Sequence, residues 1–128
     1  MHQPLKYASL TEQIIGCAMS VHRFLGGGNF TETIYQRALI KELKDVGINL
    51  KSELEMPVFY KGDLIGKKRL DIVVEDKVLI EAKALSQFEN IHYNQIINYL
   101  KIFKIEVGLL INFGSASLQF KRFVKSEI

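Results

Sequence analysis

The chain has 128 residues, of which 48% are hydrophobic and 24% are charged, and these proportions argue against a disordered protein. Its single cysteine, Cys17, excludes an internal disulfide framework and a zinc site built from several cysteines. We expect one domain over residues 1–128 in a reducing, cytoplasmic setting. The first six residues have no apolar core, so we expect no signal peptide.

The charge balance is mildly basic, with 17 Lys and Arg residues against 14 Asp and Glu residues and a net charge of +3. This balance is compatible with a polyanionic partner such as nucleic acid but does not require one. Two segments are locally basic, residues 61–69 and 121–125, and each alone is most simply a solvated surface. The apolar runs are too short for a membrane span of about 20 residues, so no membrane partner is expected.

A first helix is predicted after Ser9 and Glu12, which have the spacing of a capping box. Apolar residues then recur at helical spacing: Leu10, Ile14, Ala18, Val21 and Leu25. Three consecutive glycines, 26–28, end this helix.

A second helix is predicted to begin near Asn29 or Thr31 and to extend to Val46. Its apolar stripe consists of Tyr35, Leu39, Leu43 and Val46. Gly47 is a suitable residue to follow its last turn, since glycine readily adopts the left-handed conformation there.

From Asn49 the hydrophobic period changes to two, which predicts a strand to Tyr60 and a turn at residues 61–63. Pro57 cannot donate a ladder hydrogen bond, so this strand should lie at an edge or carry a bulge. The remaining predicted elements are strands at 69–74 and 78–84, a helix at 90–103, and strands at 107–113 and 118–124. The predicted fold is α+β, with a mixed sheet flanked by helices in the order α-α-β-β-β-α-β(-β).

The hairpin of residues 69–84 carries the candidate catalytic and metal-binding residues. A three-residue loop pairs Val74 with Val78 and places Asp71 opposite Glu81, while Lys83 points to the same face as Glu81. The other face is apolar and should pack on a helix: Leu70, Ile72, Val74, Val78, Ile80 and Ala82. Charged groups on a half-buried face are costly unless something pairs them.

A divalent cation is one partner for these carboxylates, since Mg²⁺ typically takes one or two carboxylates with water and phosphate oxygens. Such a metal can generate hydroxide near neutral pH and neutralise a phosphoryl group. Lys83 could position the attacking water or stabilise the pentacoordinate phosphate. The alternative is a structural Asp–Lys–Glu network. A two-residue loop would instead put Asp71 and Glu81 on opposite faces.

Polar residues on two helices extend this candidate site. His92, Gln95 and Tyr99 share one face of the third helix and could contact a substrate phosphate or a water on the metal. A histidine near the core is the alternative for His92. Glu32 could be a third carboxylate for the metal or only a first-turn acid favoured by the helix dipole.

These residues resemble a known group of enzymes. Asp71 followed by Glu81-Ala82-Lys83 resembles the Asp…(Asp/Glu)-x-Lys signature of the PD-(D/E)XK nuclease superfamily. Gln95 and Tyr99 are similar to the Gln-x-x-x-Tyr motif of its RecB-like exonuclease branch. The whole chain from about Leu10 to Val124 resembles the small GxxExxY family of that superfamily. The matching segments are 25–35, 60–62, 71–83, 92–100 and 108–114.

The resemblance implies a restriction-endonuclease-like core with a bound Mg²⁺ or Mn²⁺ ion. The implied metal ligands are two carboxylates and a main-chain carbonyl: Asp71, Glu81 and Ala82. Lys83 would be the catalytic lysine and Glu32 the acid on the upstream helix. Gln95 and Tyr99 would lie on the substrate side.

The chain departs from the family pattern at two positions. Asn29 stands where the Gly of Gly-x-x-Glu is expected, with Gly28 one place early, so the placing of Glu32 differs from the pattern. Leu70 replaces the Pro of the superfamily name, at a position that supplies no ligand.

Two functions compete at this point. The first is a Mg²⁺- or Mn²⁺-dependent nuclease that hydrolyses DNA or RNA, favoured by the intact Asp71, Glu81 and Lys83. The second is a non-cleaving module that binds nucleic acid or protein on a nuclease-like fold, favoured by the small size. A homodimer would supply more surface to hold a duplex. A small phosphate-ligand enzyme is a third candidate.

Overall fold

The computed structural model describes residues 6–128. The expectation about a signal peptide concerns the start of the chain, and residues 1–5 lie outside the described range. Its elements, in chain order, are α1 (Ala8–Leu25), α2 (Glu32–Asp45), β1 (Leu50–Tyr60), β2 (Asp63–Val74), β3 (Val78–Lys83), α3 (Asn90–Phe103), β4 (Val107–Asn112) and β5 (Gln119–Val124). A short 3₁₀ turn, Lys125–Glu127, follows β5. The predicted α+β class and element order are confirmed.

The five strands form one mixed sheet in the order β1-β2-β3-β4-β5. Only the β3–β4 pair is parallel, and α3 is the crossover that such a pair requires. One face of the sheet packs against α1 and α2, and the other packs against α3. Within residues 6–128 no helix is long and apolar enough to cross a membrane. The expectation of a single domain stays a prediction.

The start of the first helix was predicted wrongly and the end of the second correctly. α1 begins at Ala8 after a left-handed Tyr7 (φ 53°), with no side-chain cap. Ser9 therefore lies inside the first turn, where it cannot form the expected capping box. α2 ends as predicted, because Gly47 is left-handed (φ 81°) and its N–H donates to the Lys44 carbonyl at 3.0 Å.

β1 lies at the edge of the sheet, as Pro57 predicted, and a register shift follows at Val58/Phe59. Lys61 and Gly62 form the turn with φ values of 49° and 87°, a combination typical of a type I′ hairpin turn.

β2 is longer than predicted, since it begins at Asp63 rather than Arg69. Residues 63–68 are polar or exposed and lack a buried alternating face, so the hydrophobic period does not reveal them. They are strand because their backbone pairs with β1 across the turn.

The loop of residues 75–77 joins β2 to β3 with the predicted register, in which Val74 pairs with Val78. Five of the six residues predicted on the apolar face pack against α1 and α2: Ile72, Val74, Val78, Ile80 and Ala82. Leu70 is the exception, because it packs with the residues on the α3 side, opposite Leu54 of β1. The strict alternation of β2 is therefore broken just before Asp71.

The adjacent ends of β3 and β4 are locked together by one buried amide. Asn112 is fully buried, and its Oδ1 accepts from the Leu85 N–H at 2.7 Å and the Gly114 N–H at 2.9 Å. Its Nδ2 donates to the Leu85 carbonyl at 2.9 Å. Because Lys83 pairs with Asn112, this amide fixes the chain directly after Lys83.

A methyl group at Gly114 would meet the main-chain N and O of Leu85, so we expect Gly114→Ala to force these strand ends apart. The free energy of unfolding should fall by about 2 kcal/mol, as for other overpacked sites. Gly16→Ala is the matched control, since a methyl group there would meet no atom within 4 Å. The free energy of unfolding should rise by about 0.5–1 kcal/mol, because alanine favours the helix over glycine. Urea denaturation measures both, and equal effects would contradict this packing.

Candidate active site

β2 and β3 separate at the point where the candidate residues lie. Their ladder ends at the pair Ile72–Ile80, and beyond it the Ala82 N–H donates to Asp71 Oδ2 at 3.0 Å. The Asp71 carbonyl accepts from Gln36 Nε2 of α2 at 3.2 Å. The Asp71 side chain and the Gln36 amide therefore replace ladder hydrogen bonds at this fork.

Glu81 lies across the fork from Asp71 and is 7% exposed. Burial, a hydrogen bond with Asp71 and the negative charge of Asp71 together raise the pKa of Glu81 to about 9, and burial has the largest effect. The positive charges of Lys83 and Lys68 act in the opposite direction without offsetting burial. Glu81 Oε1 is buried and has no hydrogen-bond partner.

The protein does not neutralise these two carboxyl groups by ion pairs. In residues 6–128 the ion pairs are Lys41–Asp45, Lys51–Asp76 and Lys67–Glu55, all elsewhere. The structural Asp–Lys–Glu network considered above is therefore not formed as a set of ion pairs. Two adjacent carboxyl groups with one buried, unpartnered oxygen fit a hard divalent cation.

The donor set suits magnesium better than a metal that needs many side chains. No cluster of three or more His, Cys, Asp or Glu side chains suited to a metal occurs in the described part of the chain. Mg²⁺ needs only one or two carboxylates, because it keeps several waters and takes substrate oxygens. The carbonyl of Ala82, the predicted third ligand, follows Glu81 directly in sequence and stays a prediction.

Lys83 is half-buried at the last position of β3, and its carbonyl accepts from the Phe113 N–H at 2.8 Å. Its charge acts on Glu81, so its ammonium group shares the surroundings of the carboxyl pair. The backbone at Lys83 and directly after it is therefore held by the end of β4, through the Phe113 N–H and the Asn112 amide.

Lys68 is a charged neighbour of the site that sequence reasoning missed. Its charge acts on Glu81, and its Nζ lies 5.2 Å from the ring centroid of Tyr99. Strict alternation from Asp71 would put position 68 on the opposite face. The break in alternation at Leu70 is what brings Lys68 to this side of the sheet.

The three polar residues of α3 differ in their surroundings. Tyr99 is half-buried against Phe103 and reaches the site through Lys68, whereas Gln95 is exposed. His92 Nδ1 accepts from the Glu89 N–H at 2.9 Å and forms a capping box at the start of α3. This contact gives His92 a structural role, and its predicted contact with substrate stays a prediction.

Glu32 is the exposed first residue of α2, and its charge is not one of those that act on Glu81. The loop before it is anchored by Tyr35, whose hydroxyl donates to the Gly26 carbonyl at 2.6 Å and accepts from the Asn29 N–H at 3.0 Å. Tyr35 also stacks on Phe113 with ring centroids 5.0 Å apart. The Tyr of the sequence pattern is thus a buried anchor for the glycine loop.

A family model described as the PD-(D/E)XK nuclease superfamily matches residues 8–123. The chain belongs to this superfamily. A solved structure with the same fold is the crystal structure of SSO0001, at 21% sequence identity and a TM-score of 0.58. The alignment covers 93% of this chain and 60% of SSO0001. No curated protein matches the sequence significantly.

The raised pKa of Glu81 predicts how the stability of the metal-free protein changes with pH. The unfolded chain releases this proton near pH 4.5 and the folded chain at about 9. Between these values the folded state binds more protons, so the free energy of unfolding should fall as pH rises. Urea denaturation in EDTA from pH 5 to 9 measures this slope.

Glu81→Gln should remove the contribution of this residue to the slope, because glutamine does not titrate. Glu12→Gln, on the exposed face of α1, is the control and should leave the slope unchanged. Identical slopes for wild type and Glu81→Gln would show that Glu81 titrates normally.

Proposed function

We propose that this protein is a nuclease that uses Mg²⁺ or Mn²⁺ to hydrolyse phosphodiester bonds of DNA or RNA. Membership of the PD-(D/E)XK superfamily supports a nuclease-like activity. The observation that carries the proposal is the buried Glu81 beside Asp71, with an oxygen that has no partner. A structural role alone gives no reason to keep an unpaired carboxyl in this position.

The proposed ligands are Asp71, Glu81 and the Ala82 carbonyl. When bound, the cation supplies positive charge and Lewis acidity to the phosphoryl group under attack. Asp71 keeps its orientation through the Ala82 N–H, which holds Oδ2 at 3.0 Å. Glu81 must give up its proton to bind metal, so metal affinity should increase with pH.

Lys83 is proposed to be the catalytic lysine. Its ammonium can hold the attacking water or stabilise the negative charge that develops on the phosphoryl oxygens. The contacts of Lys83 and Leu85 with the end of β4 hold the backbone from which this side chain extends. Such a contact is strongest in the transition state, so it raises turnover more than substrate binding.

The remaining predicted residues are proposed to bind substrate or assist the metal. Tyr99 is the best placed of the three on α3, because Lys68 contacts its ring and the charge of the same lysine acts on Glu81. Gln95 is free to contact substrate because it is exposed, and His92 would do so from the capped end of α3. Glu32 would act from the start of α2, one helical turn before Gln36, whose side chain contacts the Asp71 carbonyl. A reducing, cytoplasmic compartment remains the proposed location.

Lys83→Ala should lower the rate of hydrolysis about 10²–10³-fold with Mg²⁺ or Mn²⁺ while keeping metal binding and the fold. The assay is single-turnover cleavage of labelled single- and double-stranded DNA and RNA. Lys101→Ala, on the exposed face of α3, removes the same charge away from the site and should cleave at the wild-type rate.

The proposal fails if wild type and Lys83→Ala are equally inert on all four substrates. If both proteins nevertheless bind nucleic acid, the chain is a non-cleaving binding module on a nuclease-like fold.

A further inference from the structure

The far end of the β1–β2 hairpin, which we call the distal hairpin (residues 59–69), extends from the sheet and exposes four large apolar side chains. Their exposed fractions are between 58% and 64%: Phe59, Tyr60, Leu64 and Ile65. Two of them are adjacent aromatic residues next to a tight turn. The register shift at Val58/Phe59 leaves this end out of line with the rest of the ladder.

The distal hairpin also carries the excess positive charge of the chain. It contains one acidic residue, Asp63, and four basic residues: Lys61, Lys67, Lys68 and Arg69. The other residues of the chain comprise 13 basic and 13 acidic residues, out of totals of 17 and 14. The net charge of +3 therefore arises in these eleven residues.

Aromatic and basic groups are in contact within the distal hairpin. Lys61 Nζ lies 5.5 Å from the ring centroid of Tyr60. Proteins that hold unpaired nucleic-acid strands combine cationic groups for the backbone with exposed aromatic rings on which bases stack. The distal hairpin has both parts of such a surface.

The distal hairpin is continuous with the candidate active site. Leu64, which pairs with Phe59, and Asp71 lie on one strand seven residues apart, which corresponds to roughly 24 Å of extended chain. That length matches about seven stacked nucleotides at 3.4 Å each. Lys68 lies between them, and its charge acts on Glu81.

We propose that the distal hairpin is a base-stacking subsite that holds an unpaired stretch of the nucleic-acid substrate about seven nucleotides from the cleaved bond. This inference rests on the proposed nuclease function. Phe59 and Tyr60 lie on opposite faces of β1, and each supplies a stacking surface. Lys61 and Lys67 contact neighbouring phosphates, and Lys67 exchanges its exposed ion pair with Glu55 for a phosphate. Bases buried in a duplex cannot reach these rings, so the substrate class is single-stranded or frayed nucleic acid.

A second copy of the chain is the rival occupant of this apolar surface. Two copies related by a two-fold axis would place the same surface against itself. The distal hairpin would then bring together two segments of net charge +3, which repel. A polyanion complements this charge, whereas a second copy does not.

Fluorescence anisotropy in EDTA tests the subsite without cleavage, using fluorescein-labelled (dT)₂₀ and a 20-base-pair duplex. Wild type should bind (dT)₂₀ more tightly than the duplex. The double variant Phe59→Ala/Tyr60→Ala should bind (dT)₂₀ at least fivefold more weakly with an unchanged salt dependence. Lys61→Gln/Lys67→Gln should reduce the slope of log K against log salt by about 1.4.

Phe24→Ala/Ile91→Ala removes side chains that are 90% and 69% exposed elsewhere and should bind (dT)₂₀ as wild type does. Unchanged binding by Phe59→Ala/Tyr60→Ala would overturn the proposal. Sedimentation of the free proteins covers the rival, since a dimer that this variant dissociates would make the distal hairpin an interface between copies. If wild type cleaves no substrate but the expected differences in (dT)₂₀ binding are observed, the nuclease function is refuted and the base-stacking subsite is retained.

Discussion

The Glu81 carboxyl is buried next to the Asp71 carboxyl, and hydrogen bonds from the Ala82 N–H and the Gln36 side chain hold Asp71 in this position. No lysine in the described residues forms an ion pair with either carboxyl group. Burial is the main reason that the pKa of Glu81 is raised to about 9. Burying an ionised carboxyl without a partner costs several kcal/mol, so this arrangement is stable only with a proton or a cation. In the proposed metal site, binding of the cation would release this proton.

The strands must separate for this pair to form. A continuous β2–β3 ladder would use the Ala82 N–H for main-chain pairing, whereas here Asp71 accepts from it. Gln36 of α2 satisfies the Asp71 carbonyl that the ladder leaves open. On the far side, the Asn112 amide closes the chain after Lys83. The candidate residues Asp71, Glu81 and Lys83 thus lie on strands rather than on a loop, which is the arrangement that a precisely held site favours.

The strand register near the loop of residues 75–77 can be predicted from the sequence, whereas the contacts around the fork at Asp71 cannot. A three-residue loop at 75–77 predicts the Val74–Val78 register, which the structure has. Pro57 predicts an edge strand or a bulge, and β1 has both an edge position and a register shift. Lys68 and Leu70 lie where the alternation breaks, so a strict period assigns them to the wrong face. Gln36 contacts Asp71 only because α2 packs on the sheet, and no periodic signal marks such a contact. Capping by His92 was missed because an exposed polar residue on a helix face is equally suited to substrate binding.

Isothermal titration calorimetry with Mg²⁺ and Mn²⁺ at pH 7, repeated in buffers of different ionisation enthalpy, tests the central claim most directly. If Asp71 and Glu81 form a metal site, one ion binds per chain and about one proton is released to the buffer, because Glu81 must ionise. Asp71→Asn, which keeps the acceptor for the Ala82 N–H but removes the charge, should abolish high-affinity binding. Binding without proton release, or equal binding by wild type and Asp71→Asn, would contradict the assignment of this carboxyl pair as a metal site.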